Sequence, residues 1–247
     1  MPDADRHPAV MDDDTSTVRW GLGDALLGWV VAQVGGFLAG GIALSASGEG
    51  ADGFDDLSLA WVAVAQAGLW LGLLGAPWLA ARLKGHGMVR DFGLRLHGAR
   101  DVLVGGVAGA VTQFLLIPLV YIPIFLLFDI DTNDLERPAR ELTDRATEPV
   151  GVVLLVLIVG IGAPIIEELF YRGLVQRSLI RRFGPWPGIV VTAVVFGAVH
   201  FQPLQLPALT LFGLVLGILA YRTGRLGPSI VAHMVFNMVT VIALVSS

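Results

Sequence analysis

The apolar run from Val150 to Leu169 carries two adjacent carboxylates, Glu167 and Glu168, and Arg172 follows just past its end. Ionisable side chains inside a membrane segment cost about 2.5 kcal/mol or more each, so they persist where they are paired or functional. Helical spacing sorts the three. Glu168 and Arg172 are four apart with the acid on the N-terminal side, the favourable order for an intrahelical ion pair. Glu167 is turned about 100° from Glu168 and cannot share that partner, which leaves it free for chemistry. Two more ionisable residues sit in apolar surroundings nearer the C-terminus: His200 closes F-G-A-V-H, and His233 opens H-M-V-F-N, which ends in Asn237 one turn on. His7, His86 and His97 fall in a tail and a loop, where solvation explains them.

A carboxylate, two imidazoles and an amide meet the needs of amide hydrolysis. Glu167 is placed as general base for a water. His200 would hold the same water and pass a proton to the leaving amine. His233 and Asn237 would donate hydrogen bonds to the developing oxyanion. No serine or cysteine nucleophile is evident. This preferred reading needs no cofactor. A zinc version would take Glu167, His200 and His233 as ligands with an open fourth position and leave Glu168 as base. Against it, the H-E-x-x-H spacing is absent, and Glu168 would lose its role as the partner of Arg172.

For these residues to meet, the helix bearing Glu167 must continue past Arg172 and turn at Phe183–Pro187. Glu167 then lies about 18 residues before the turn and His200 about 15 after it, a height difference of about 5 Å across an antiparallel hairpin. His233, two turns into the last helix, reaches a similar depth. The link Phe201–Leu206 would lie at membrane depth, tolerated only if buried in protein or lining a wet cavity.

The rest of the 247-residue chain suits this setting: 55% of residues are hydrophobic, only 15% are charged, and mean hydropathy is +0.73. These values place it in the membrane class. A net charge of −5 excludes nucleic acid as an expected partner, and the absence of cysteine excludes disulfides and thiolate metal sites. The expected fold is an all-α polytopic bundle of about seven helices. Spans fall at Gly21–Leu44, Leu59–Leu83, Val102–Phe128 and Val150–Leu169, followed by Pro187–His200, Pro207–Tyr221 and Pro228–Val245. The fifth and sixth are short and flank the site. Residues 1–20 are expected as a disordered acidic tail and 21–247 as one membrane domain, with a catalytic core at 150–245. Small-xxx-small spacings at Gly36/Gly40, Gly105/Gly109 and Gly213/Gly217 are expected to be packing contacts.

Arg and Lys crowd the loop Arg82–Arg100, the positions Arg177, Arg181 and Arg182, and Arg222 with Arg225. The loop Ser45–Ser58 has no basic residue, and in Asp129–Pro149 acids outnumber Arg137, Arg140 and Arg145. The positive-inside rule then gives a cytoplasmic N-terminus and an outside C-terminus, in the plasma membrane.

The three motifs E-E-L-F-Y-R (Glu167–Arg172), F-G-A-V-H (Phe196–His200) and H-M-V-F-N (His233–Asn237), in this order, resemble those of the CPBP family. These are the CAAX proteases and bacteriocin-processing enzymes, also called Abi proteins. Pro164 and Gly173 also fit the pattern, and the resemblance covers roughly Val150 to Val245. It implies an intramembrane endopeptidase acting on a membrane-associated or lipidated peptide or protein. Glu167 and His200 would activate the water, His233 and Asn237 would form the oxyanion hole, and Glu168 and Arg172 would support them. The family's metalloprotease label carries the zinc alternative with it. Two rivals stand beside this reading. One is a non-catalytic membrane regulator or immunity-type protein of the same fold. The other is a small transporter, disfavoured because the first half has no membrane-centre Glu or His.

Overall fold

The computed structural model describes residues 18–48, 57–128, 131–146 and 148–246, and all its regular structure is helical. Six helices are long and apolar enough to cross a membrane. In chain order the elements are α1 (Leu22–Ala46), α2 (Leu59–Lys84), the short α3 (Met88–Phe92), α4 (Gly98–Leu127), α5 (Thr132–Thr143), α6 (Pro149–Phe183), α7 (Pro185–Ala198), α8 (Leu206–Thr223) and α9 (Gly227–Val245). The apolar runs become helices because lipid offers no partner to a free backbone N–H or C=O, and a helix satisfies both internally. The outer faces stay apolar: Leu26, Phe37, Leu71, Leu103, Phe114 and Leu126 are all exposed. This is an integral membrane protein.

Close packing relies on small residues. A Cβ on Gly72 would lie 2.2 Å from the Ala32 backbone nitrogen, and one on Gly68 would lie 2.4 Å from the Gly35 carbonyl oxygen. The tight α1–α2 crossing is therefore at Gly28, Gly35, Gly68 and Gly72. Gly36, in the expected Gly36/Gly40 pair, meets Leu69 only at ordinary contact distance. Gly105 and Gly109 do face α9, with the Pro228 and Ala232 carbonyl oxygens 2.5 Å from their would-be Cβ atoms. Gly213 lies against Ala193, and Gly217 against Gln176.

Three expectations need correction. The sixth apolar segment is not too short to cross: α8 runs for 18 residues, about 27 Å, because it starts with Pro207 in its first turn and continues through Arg222 and Thr223. The loop 129–149 contains α5, whose Leu142 packs on Leu59, Leu155 and Val241. The boundary drawn after residue 20 falls inside packed structure, since Trp20 is buried; residues 1–17 lie outside the described residues. In the link after His200, Phe201 and Leu204 are exposed; the Tyr121 hydroxyl donates to the Leu204 carbonyl, and Gln205 Nε2 donates to the Leu135 carbonyl of α5.

One end of the bundle is clamped by arginine. Arg177, also buried, donates from Nη1 to the Asp91 carbonyl (3.0 Å) and from Nη2 to those of Phe92 (3.1 Å) and Gly224 (2.9 Å). Arg181 lies over the Trp20 ring and bonds the Trp20 carbonyl, while Trp20 Nε1 donates to Asp91. The α3 turn thereby locks to the α6 terminus and the α8–α9 turn. Gly93 permits this with φ +62°, and a Cβ there would lie 2.5 Å from the Gly224 carbonyl oxygen. Of the three arginines clustered at the end of α6, Arg177 and Arg181 thus hold backbone carbonyls of other segments.

Replacing Gly72 by valine drives a side chain into α1 and is expected to cost about 1–3 kcal/mol. Gly41→Val, at a site with nothing within 4 Å, serves as control. Thermal unfolding in detergent should separate the two, with a lowered midpoint for Gly72→Val alone.

Candidate active site

Helix α6 is not a regular α-helix. It widens into π-helical turns at Val156–Gly162 and again at Glu168–Gln176. In the first, the Ala163 N–H reaches back five residues to the Ile158 carbonyl. Glu167 is the last α-helical residue before the second widening and Glu168 the first within it. Such wide turns recur at functional sites because they re-aim neighbouring side chains.

The two carboxylates have different surroundings. Glu168 is fully buried; its Oε1 accepts from Arg172 Nη1 at 2.6 Å and lies 3.1 Å from His233 Nδ1. Arg172 is also buried, reaches the Gly213 carbonyl of α8 at 3.4 Å, and stacks its guanidinium 4.2 Å from the centre of the Phe196 ring. Glu167 retains partial exposure, and its Oε2 stands 3.9 Å from His233 Nε2. That gap is too long for a direct hydrogen bond. A water touching both atoms at about 2.8 Å would fit, with the two contacts roughly 90° apart.

The imidazoles are oriented from behind. A carboxylate only accepts, so Glu168 fixes the proton of His233 on Nδ1 and leaves Nε2 facing Glu167. His200 Nδ1 lies 2.7 Å from the Phe196 carbonyl, so its Nδ1 also carries a proton and Nε2 is the free nitrogen. Both rings pack edge-on against the same Phe196 ring, at centroid distances of 5.0 Å for His200 and 5.8 Å for His233. Phe212 of α8 closes the other side of His233 at 5.2 Å. The positive φ of Phe201 (+54°), unusual for a bulky residue, ends the α7 extension immediately after His200.

Asn237, one turn beyond His233 on α9, donates from Nδ2 to the Val159 carbonyl of α6 at 2.8 Å. An amide nitrogen has two hydrogens, so one donor is available to a ligand. The hairpin expected between Glu167 and His200 exists: α6 ends at Phe183, Gly184 turns with φ +86°, and α7 returns.

Sequence reasoning named the polar residues but missed the ring that organises them. Phe196 touches Arg172, His200 and His233, and it also meets Tyr171 edge-on at 5.4 Å. Its place four residues before His200 was the available signal. Nothing in the sequence marks Phe212 or the Gly213 carbonyl.

The zinc alternative calls for Glu167, His200 and His233 as ligands and Glu168 as base. Among the described residues no three His, Asp or Glu side chains form a metal-holding group. Glu168, the base that alternative requires, is committed to Arg172 and His233. It is thus held as their partner and is not free to serve as that base in this arrangement.

Residues 149–239 match the family described as Type II CAAX prenyl endopeptidase Rce1-like. This segment is similar to that family over about a third of the chain. The chain is also 30% identical over 91 residues to the "Putative membrane peptidase YdiL" of Bacillus subtilis, covering 37% of each protein. It is 30% identical over 140 residues to the "Uncharacterized 24.3 kDa protein" of Escherichia coli, covering 55% of this chain and 61% of that one. The chain thus spans less than two thirds of either relative in the matched region. No solved structure matches. The matched segment holds all six residues singled out from the sequence, from Glu167 to Asn237.

Removing one partner of a buried ion pair strands the other, a loss of about 3–5 kcal/mol. Glu168→Gln is therefore expected to lower the thermal midpoint sharply, whereas Glu167→Gln should stay within about 1 kcal/mol of wild type. Equal destabilisation by both would remove the division of labour between the two carboxylates.

Proposed function

We propose that this protein is an intramembrane endopeptidase that hydrolyses a peptide bond of a membrane-associated or lipidated peptide or protein. Glu167 acts as general base on a water, which attacks the scissile carbonyl carbon. The oxyanion receives hydrogen bonds from the spare Asn237 N–H and from Nε2–H of a His233 ring that enters the reaction already protonated from solvent, its charge balanced by Glu168. His200, with Nε2 free, helps hold the water, takes from Glu167 the proton removed from that water, and passes it to the leaving amine as the C–N bond breaks. Glu168 and Arg172 do not touch substrate; they fix the tautomer and angle of His233. The CPBP or Abi assignment and a plasma-membrane location, N-terminus inside, belong to the same reading.

The observation that carries it is the pairing of unlike carboxylates: Glu168 is spent on Arg172 and His233, while Glu167 is partly exposed beside His233 Nε2. A merely structural bundle has no need of the second acid. The match of residues 149–239 to a CAAX endopeptidase family points the same way.

The test compares protein termini in the membrane fraction of cells carrying wild type or Glu167→Gln. A terminus present with wild type should vanish with the variant, with cleavage reduced about 10²- to 10⁴-fold. Asn237→Ala should lower the rate about 10²- to 10³-fold. A phenotype that persists in a folded Glu167→Gln protein would favour the regulator reading. Cleavage by purified protein should withstand chelators; loss with chelator and recovery with added zinc would reinstate the metal mechanism.

A further inference from the structure

Apart from the candidate active site, a cavity of about 240 Å³ opens where the N-terminal turn of α4 meets the α8–α9 turn. Arg100, Asp101, Val104, Arg222, Thr223, Arg225 and Pro228 line it. Three guanidiniums thus face one carboxylate, and that carboxylate is already used. Asp101 is buried, accepts the His97 backbone N–H at 2.8 Å, and is held by Arg225 through Nε and Nη2. The third Arg225 nitrogen, Nη1, goes to the Thr223 carbonyl at 3.2 Å. Arg225 and Asp101 therefore form a closed pair that builds the wall. Arg100 and Arg222 are exposed and have no acidic partner among the described residues. Among the described residues their charge is uncompensated.

The cavity also has an apolar exit. Val104 lines it, and Val107 and Val111 follow on the same face of α4 at helical spacing. All three are exposed, at 39%, 54% and 41%. A small anion in water needs no such stripe. A molecule with a charged head and a hydrocarbon tail fits both parts at once.

From this arrangement we propose that the cavity binds the phosphate of an anionic phospholipid, with Arg100 and Arg222 as its ligands and an acyl chain lying along Val104, Val107 and Val111. The cavity lies at the bundle end where basic residues gather, the side on which anionic leaflet lipids attract arginine and lysine. Pro228 sits five residues before His233 on α9, so a bound lipid would brace the helix that carries His233 and Asn237. The proposal concerns binding and does not depend on the proteolytic reading.

Delipidated full-length protein in detergent, titrated with phosphatidylglycerol, phosphatidylcholine or inorganic phosphate and followed by native mass spectrometry, tests it. Wild type should retain phosphatidylglycerol at least tenfold more tightly than phosphatidylcholine. Each of Arg100→Gln and Arg222→Gln should weaken that retention about fivefold, and the pair about 30-fold, whereas the paired lysine variants keep most of it. The lipid-free thermal midpoint should not change, since neither side chain holds the fold; if the double variant does not fold, the single variants decide. Undiminished preference in the glutamine variants would overturn the site. Full displacement of phosphatidylglycerol by millimolar phosphate would overturn the lipid as its occupant and assign the site to free phosphate.

Discussion

A guanidinium and a carboxylate, both without access to water, lie at the centre of this bundle, and much of the surrounding geometry answers to them. In a bundle surrounded by hydrocarbon neither Glu168 nor Arg172 can be left alone, and neither can leave for solvent. Each therefore draws in further partners. Glu168 takes His233 from α9; Arg172 takes the Gly213 carbonyl from α8 and the face of Phe196 from α7. Four helices are thus tied to one ion pair. Its value is in direction more than in net stability, because desolvating two charges consumes much of what their attraction returns. His233 is left with one ring orientation and one tautomer when the second carboxylate is beside it.

That second carboxylate is distinguished by backbone geometry. Glu167 and Glu168 are chemically identical neighbours, but the helix changes from α to π between them, and they face different surroundings. One becomes a strut and the other stays partly open. The glycines nearby matter to the same end. Gly160 faces Met238 and Gly162 faces Trp70, each so closely that a Cβ would approach within 2.4 Å. The widened turns of α6 can therefore lie against α9 and α2 without losing contact.

The charged end of the bundle follows a different logic. There arginines meet backbone carbonyls exposed by turns and helix termini, as Arg177 and Arg181 do, or pair with a single acid, as Arg225 does with Asp101. A positive residue at a membrane boundary can thus be an internal clamp, a topological signal or a ligand for an anion, and only its partners distinguish these. Counting arginines in loops gives the side on which they gather but not which of them are free.

Much of this was legible in the residues themselves. Periodicity and the length of apolar runs gave the helices, since lipid leaves the backbone no other solution. The i, i+4 spacing gave the Glu168–Arg172 pair, and the turn at Phe183–Pro187 gave the α6–α7 hairpin. Spacing along one helix is a local property, so a linear sequence contains it. The remainder depended on contacts between segments distant in the chain: Phe196 under three charged or titratable groups, the Gly213 carbonyl on Arg172, the Val159 carbonyl on Asn237, and Arg177 buried against α3. Apolar length misjudged α8 because Arg222 and Thr223 continue the helix past the hydrocarbon-like run, and no spacing rule reveals a π turn. The sequence alone determined which groups had to be paired or used. Tertiary packing decided which was which, because a carboxylate's role depends on the atoms within hydrogen-bonding reach, and these come from other helices.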